Sequence, residues 1–308
     1  MTSAHVDRRA LQQAQAGAWQ RTQERWGLLL AGPAALCLLC LILLPSSLVI
    51  IFSATDYQLG ASTLRFVGLD NYVALFRDPL FWTSITNTFL YVSIVVPGSV
   101  VFGLVAAVLI EARGCLKGFY RAAYFLPVTA TLVAMATVWE FMLLPKVGLI
   151  NQLLELLGFQ THAFLSDPST ALFALTAIGI WELVGFNMVL FMAGLTAIPR
   201  HLYEAADLDG AGAWEKFRLV TWPMLGPTTM FVVIVTVIRA FRVFDTVAVL
   251  TSGGPNQATE VLLYTMFVEA FRYFKIGYAS AITVVFLAMT ILLLLLQSRL
   301  FDKRVHYS

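Results

Sequence analysis

A chain of 308 residues that is 59% hydrophobic and 12% charged falls far below the roughly 25% charge typical of soluble domains, so most of its apolar surface belongs in lipid. Its net charge of +2 offers no broad basic field, which argues against a nucleic-acid partner. The four histidines, His5, His162, His201 and His306, are too scattered to build a metal site.

In chain order, residues 1–26 form a polar N-terminal arm holding Arg8, Arg9, Arg21 and Arg25. A membrane-spanning helix needs about 20 mostly apolar residues, because lipid leaves backbone polar groups no partner outside the segment. Stretches 27–53, 84–110, 121–144, 170–197, 223–250 and 277–298 qualify, which predicts six spans and an all-α polytopic membrane protein, ended by a tail over 299–308. The apolar run of the first stretch exceeds the roughly 7–15 residues of a signal-peptide core, so it reads as a retained helix. Its Gly32, Pro33 and Pro45 are tolerable where neighbouring helices re-satisfy freed backbone groups. The C-x-x-C pair Cys37 and Cys40 lies in Leu-rich sequence with Cys115 remote, so these are small apolar helix residues rather than zinc or redox ligands.

Between the spans, FVGLDNYVALFRDPLFWT at 66–83 mixes aromatics with charge, as an interfacial helix or lid does. Segment 145–169 carries an amphipathic NQLLELLG and then FLSDPSTA, whose Asp-Pro marks a turn, and TSGGP at 251–255 reads as a tight outward turn. Lys and Arg set the orientation. The arm, the second and fourth loops and the tail hold thirteen of them, against five on the other side (Arg65, Arg77, Lys146, Arg272 and Lys275), so both termini are expected to be cytoplasmic.

The fourth loop contains EAADLDGAGAWEKFRLVTWPMLGP, residues 204–227. Its first residues favour helix, Gly210 and Gly212 loosen it, and Pro223 and Pro227 redirect the chain. The expectation is a short helix–turn–helix at the cytoplasmic face, with Leu208, Trp214, Phe217 and Leu219 free either to fill a partner's pocket or to rest on lipid headgroups. This stretch resembles the EAA coupling loop of permease subunits of bacterial ABC importers. The family pattern E-A-A, three residues, G, nine residues, I-x-L-P is met at Glu204, Ala205, Ala206, Gly210 and Pro223, with Val220 and Trp222 departing from Ile and Leu.

The resemblance extends through YRAAYFLPVTATLVAMATVW, GLINQLL, FLSDPSTA and VFDTVAVLTSGGPNQAT, and the ending LFDKRVHYS is similar to glycerol-3-phosphate-type permeases. It implies a MetI-like permease fold of the carbohydrate uptake branch. Glu204, Ala205, Ala206, Asp209, Gly210, Trp214, Phe217 and Pro223 are then the residues coupled to the motor. It also implies two copies of an ATPase subunit, a second homologous permease and an extracytoplasmic solute-binding protein. No G-x-x-x-x-G-K-[ST] occurs, so ATP and magnesium are expected on the partner ATPase, with no cofactor or metal on this chain, which is a transport subunit and not an enzyme. The expected location is the bacterial inner membrane, in contact with its lipid.

Ionisable residues in spans are costly and mark function. The third span carries Trp139 and Glu140; the fourth carries Gly179, Trp181, Glu182 and Asn187; the fifth carries Arg239, Arg242 and Asp245 at spacings that share one helical face. An indole can stack on a sugar ring while carboxylate and amide share its hydroxyls, which suits a sugar or sugar-derived cargo. Comparison with the maltose system implies cargo contacts near 139–143 and 179–187, with different chemistry at Gly179. Three alternatives stay open here: Glu140 and Glu182 as structural groups at an interface, Arg239 and Arg242 as a salt-linked cluster with Asp245, or either arginine as the site of an anionic cargo such as glycerol-3-phosphate, a sugar acid or a sulfonate. A proton-coupled carrier using the two glutamates, and a membrane scaffold, are the competing functions.

Overall fold

The computed structural model describes residues 30–112 and 116–302, with side chains as far as residue 299. The arm at 1–26, with the tail basic residues Lys303 and Arg304, Arg113 and Cys115, lies outside the described residues. Helix α1 covers Leu30–Ser53 and holds Cys37 and Cys40 as free, exposed thiols. It is followed by α2 (Asp70–Arg77), α3 (Pro79–Ala112), α4 (Lys117–Thr129), α5 (Leu132–Met142), α6 (Leu149–Leu156) and α7 (Ala171–Thr196). Then come α8 (Arg200–Leu208), α9 (Ala213–Lys216), α10 (Gly226–Phe241), α11 (Asp245–Leu250), α12 (Leu262–Phe267) and α13 (Ile276–Asp302). Among the described residues the sole β pairing is one isolated bridge, Thr55 to Phe66.

Two expected spans are broken. The stretch 121–144 is not one rod: α4 and α5 meet at a 99° bend, where Ala130 and Thr131 are extended after Pro127. Pro127 sits near the end of α4 and is followed by Val128 and Thr129, so the last turn is weak in both hydrogen bonding and propensity. The stretch 223–250 likewise ends its helix at Phe241 and restarts at Asp245, through Phe244 at φ −147° and ψ −56°. Helix α10 has 16 residues and alone rises about 24 Å, short of the roughly 30 Å hydrocarbon core, but helical turns over Phe217–Thr221 and Trp222–Met224 lead directly into it. Among the described residues four helices are long and apolar enough to cross alone, α1, α3, α7 and α13, and five if the bent pair is one span.

Helices α3 and α7 form the most extensive packing pair. Because lipid supplies no hydrophobic drive between helices, close approach and polar ties must hold them. A Cβ on Gly103 would lie 2.7 Å from Asn187 Cβ and 3.2 Å from the Met188 amide nitrogen, so the two backbones touch there. The fully buried Asn187 donates to Ser99 Oγ at 3.2 Å and accepts from Thr236 Oγ1 at 2.9 Å, tying α3, α7 and α10. One core joins Tyr91, Val95, Leu175, Val237, Phe241, Val247 and Tyr264, and a second joins Ala107, Met188, Phe191, Leu225 and Val232.

Asparagines also seat the connecting segments. Asn71 Nδ2 donates to the Ser53 and Thr55 carbonyls at 2.8 Å each, fixing α2 to the end of α1. Asn151 on α6, fully buried, reaches the Leu144 and His162 carbonyls at 3.0 Å and accepts from the His162 amide at 2.9 Å.

Candidate cargo cavity and coupling surface

The residues singled out by their polarity in apolar sequence are distributed over four places. Glu182 from α7 and Arg239, Arg242 and Asp245 from the α10–α11 break line one cavity of about 250 Å³, together with Tyr91 and Leu132. Arg239, Arg242 and Asp245 do not share one continuous helical face, which corrects the spacing-based expectation: Arg239 sits in the last turn of α10, the helix stops at Phe241, and Arg242 and Asp245 lie in and after the break, yet all three line the cavity with Glu182. The described ion pairs are Lys117–Glu111, Lys216–Asp207 and Lys275–Glu269. Two carboxylates and two guanidiniums thus face a shared space with no described contact between opposite charges. Arg239 lies over the Phe186 ring, 4.3 Å from guanidinium carbon to centroid, and its buried Nη1 has no hydrogen-bond partner. A guanidinium held on an aromatic face keeps its edge free for an oxygen-bearing ligand.

Trp139 and Trp181 meet edge to face with centroids 5.4 Å apart, closing α5 on α7 rather than standing free as two stacking platforms. Trp181 also borders an apolar groove with Phe102, Tyr124 and Pro127. Glu140 is exposed and lines a separate cavity of about 370 Å³ with Pro145, Ser166, Thr251, Gly254 and Pro255, between the loop before α6 and the TSGGP turn. Gly179 is a packing residue, since a Cβ there would collide with the Tyr91 hydroxyl. Asn187 is wholly engaged by Ser99 and Thr236. Tyr91 and Phe186 were not singled out from the sequence; each is one aromatic in a run of apolar residues, and only the packing of α10 against α3 and α7 brings charge to them.

The segment after α7 forms the expected helix–turn–helix. Pro199 is extended and opens α8; Gly210, at φ +76°, ends it, with the Ala211 amide bonding the Ala206 carbonyl at 2.9 Å. Such a left-handed C′ position favours glycine because it lacks a Cβ. Glu215 caps the next turn by accepting from the Gly212 amide at 2.8 Å, and Lys216 pairs with Asp207 across the turn. The Tyr203 hydroxyl meets Thr221 Oγ1 at 2.9 Å, so the two arms are locked together. Leu208 is 91% exposed, Trp214 71% and Leu219 70%. Phe217 is instead half-buried, stacked under Trp214 at 5.6 Å and against Trp222, so it stiffens the surface from beneath. Glu204, Ala205, Asp209 and Pro223 are exposed and Ala206 is half-buried.

A family model described as "Binding-protein-dependent transport system inner membrane component" matches residues 99–307. The chain belongs to this family. The probable ABC transporter permease protein YurN of Bacillus subtilis is 36% identical over 271 residues, covering 87% of this chain and 93% of that relative. The sn-glycerol-3-phosphate transport system permease protein UgpA of Escherichia coli is 32% identical over 292 residues, covering 92% and 97%. The sulfoquinovosyl glycerol transport system permease protein SmoG of Agrobacterium fabrum is 32% identical over 263 residues, covering 85% of each chain. A chain from the crystal structure of a bacterial ABC transporter involved in the import of the acidic polysaccharide alginate shares the fold, with a TM-score of 0.81 at 20% identity over 94% of this chain and 100% of its own.

The protein is therefore a multi-pass inner-membrane permease subunit of an ABC importer with a MetI-like fold. It is not itself an enzyme; ATP is hydrolysed on a separate chain.

Proposed function

We propose that this permease passes a sugar or sugar-derived solute along a path of which the Glu182–Arg239–Arg242–Asp245 cavity forms one wall. The observation that carries the reading is that cavity: four charged side chains, two of each sign and unpaired with one another, around about 250 Å³ at the break of a helix. Charged groups inside a membrane are expensive unless they face a partner or a polar cargo. Carboxylates accept and guanidiniums donate, so a polyhydroxylated ligand can satisfy both signs at once. The relatives named for glycerol-3-phosphate and sulfoquinovosyl glycerol support a second reading in which the cargo also bears an anionic group, received by the arginines that line the cavity, Arg239 and Arg242.

The working assembly in this reading is a second homologous permease, two ATPase subunits that hold ATP and magnesium, and an extracytoplasmic solute-binding protein. The chain then crosses six times, α10 and α11 together supplying one crossing, with both termini cytoplasmic. Closure of the ATPases moves the 204–223 surface, and the helices alternate between inward access and access to the binding protein. That requires the surface to bind the motor differently in the two states, since equal binding shifts nothing.

The test is uptake into proteoliposomes holding the whole assembly. Arg239→Gln removes a charge-assisted hydrogen bond worth about 1.5–3 kcal/mol, so KM for cargo rises about 10- to 100-fold while ATP hydrolysis stimulated by the binding protein persists. An unchanged KM returns Arg239 to a structural role on Phe186. Full-rate uptake without any ATPase subunit would instead favour a secondary carrier.

A further inference from the structure

A groove that the cargo reading does not use runs between α4 and the C-terminal half of α7. At one end is a cavity of about 380 Å³ lined by Glu111, Lys117, Gly118, Arg121, Met192 and Thr196. At the other is one of about 280 Å³ lined by Gly118, Arg121, Ala122, Phe125 and Val189. The two share Gly118 and Arg121, so they are one furrow, polar at one end and apolar at the other. Residues 118, 121, 122 and 125 recur at the spacing of a single helical face. A Cβ on Gly118 would meet nothing within 4 Å.

Charge is not balanced at the polar end. Lys117 pairs with Glu111 at 2.6 Å, whereas Arg121 is exposed and joins none of the described ion pairs. The level in the membrane rests on the proposed function, in which the loop after α7 is cytoplasmic: α7 ends at Thr196, and Pro199 opens α8 on that side. The polar end therefore lies at the cytoplasmic surface and the apolar end lies deeper, in hydrocarbon.

We propose that this furrow binds one acidic phospholipid of the inner leaflet, its phosphate on Arg121 and an acyl chain along Ala122, Phe125 and Val189. A guanidinium matches phosphate geometry, and basic pockets between spanning helices on the cytoplasmic side are the expected seats of anionic headgroups. The ordering from charged to apolar along α4 matches the ordering of a lipid from headgroup to tail, which a small soluble anion does not need.

The test uses the whole importer, purified with its partner subunits and placed in nanodiscs of phosphatidylcholine with or without phosphatidylglycerol. Native mass spectrometry counts retained lipid, and a thermal ramp reads stability. Wild type retains phosphatidylglycerol and melts higher in its presence. Arg121→Gln lowers retention about fivefold, as expected for one basic residue near the surface, and Arg121→Lys largely restores it. Gly118→Leu, whose Cβ enters open space, also expels the lipid. Wild-type retention by Arg121→Gln or by Gly118→Leu overturns the proposal. So does stabilisation of phosphatidylcholine discs by soluble glycerol phosphate when phosphatidylglycerol has no effect.

Discussion

The contact between α3 and α7 makes a sharp comparison possible between two glycines on one helix. At Gly103 an added Cβ would lie 2.7 Å from Asn187 Cβ, 3.2 Å from the Met188 nitrogen and 3.3 Å from the Asn187 carbonyl carbon. Two of these three are backbone atoms, and ordinary carbon contacts begin at about 3.5 Å, so the helices must part by roughly 1 Å. At Gly98 the added atom meets only Ile180: Cδ1 at 2.7 Å, Cγ1 at 3.1 Å and Cγ2 at 3.8 Å, a flexible side chain that is half-buried and can turn away. Overpacking against backbone costs about 1–3 kcal/mol, and stretching the Asn187–Ser99 bond forfeits about 0.6 kcal/mol more. Alanine gains about 1 kcal/mol of helix propensity at either site. Gly103→Ala is therefore expected to destabilise by about 1–2.5 kcal/mol and Gly98→Ala by about zero. The assay is the midpoint of loss of the folded peak on size exclusion after a heat ramp, both variants in the same detergent. If Gly98→Ala melts as low as Gly103→Ala, backbone contact is not what holds these helices.

Two further outcomes follow from loops. Gly210 is left-handed with open space around it, so Gly210→Val forces a β-branched residue into φ above zero, while asparagine tolerates that region. Gly210→Val should insert normally yet lose the ATPase subunits on co-purification and abolish uptake, with Gly210→Asn much closer to wild type; normal uptake by the valine variant would refute the coupling role. Glu260, outside the spans, is nearly buried and accepts from Thr265 at 2.9 Å; burial raises its pKa above the usual glutamate value, against the opposing hydroxyl bond and the charge of Arg272. The folded state then binds the proton more tightly than the unfolded one, so this group's contribution falls as pH rises from about 4 through the folded pKa. Glu260→Gln should flatten that decline, with its largest advantage in melting temperature at neutral pH, and an unchanged pH slope would exclude Glu260 as its source.

The helical, membrane-spanning character was legible because twenty-residue apolar runs have few other stable forms, and Ala171–Thr196 lies within one residue of its expected bounds at each end. The helix–turn–helix after α7 was equally legible, since Gly210 and Pro223 act locally through backbone conformation. Hydropathy did not place the two breaks. Thr131 is neutral among apolar neighbours, and Arg242 and Asp245 beside Phe244 read equally well as the polar face of an unbroken helix, so whether a helix bends there depends on what receives the freed backbone.

Local composition and periodicity thus determined that this chain is a bundle of apolar helices with a glycine-ended elbow on one side. Tertiary structure decided which polar residues act together. It set Asn187 aside as a tie between three helices and Trp139 as a partner of Trp181, and it gathered Glu182, Arg239, Arg242 and Asp245 around one space. The reason is physical: spacing along one helix orders side chains on that helix, but a break redirects them, and the opposite wall of a cavity comes from residues distant in the chain.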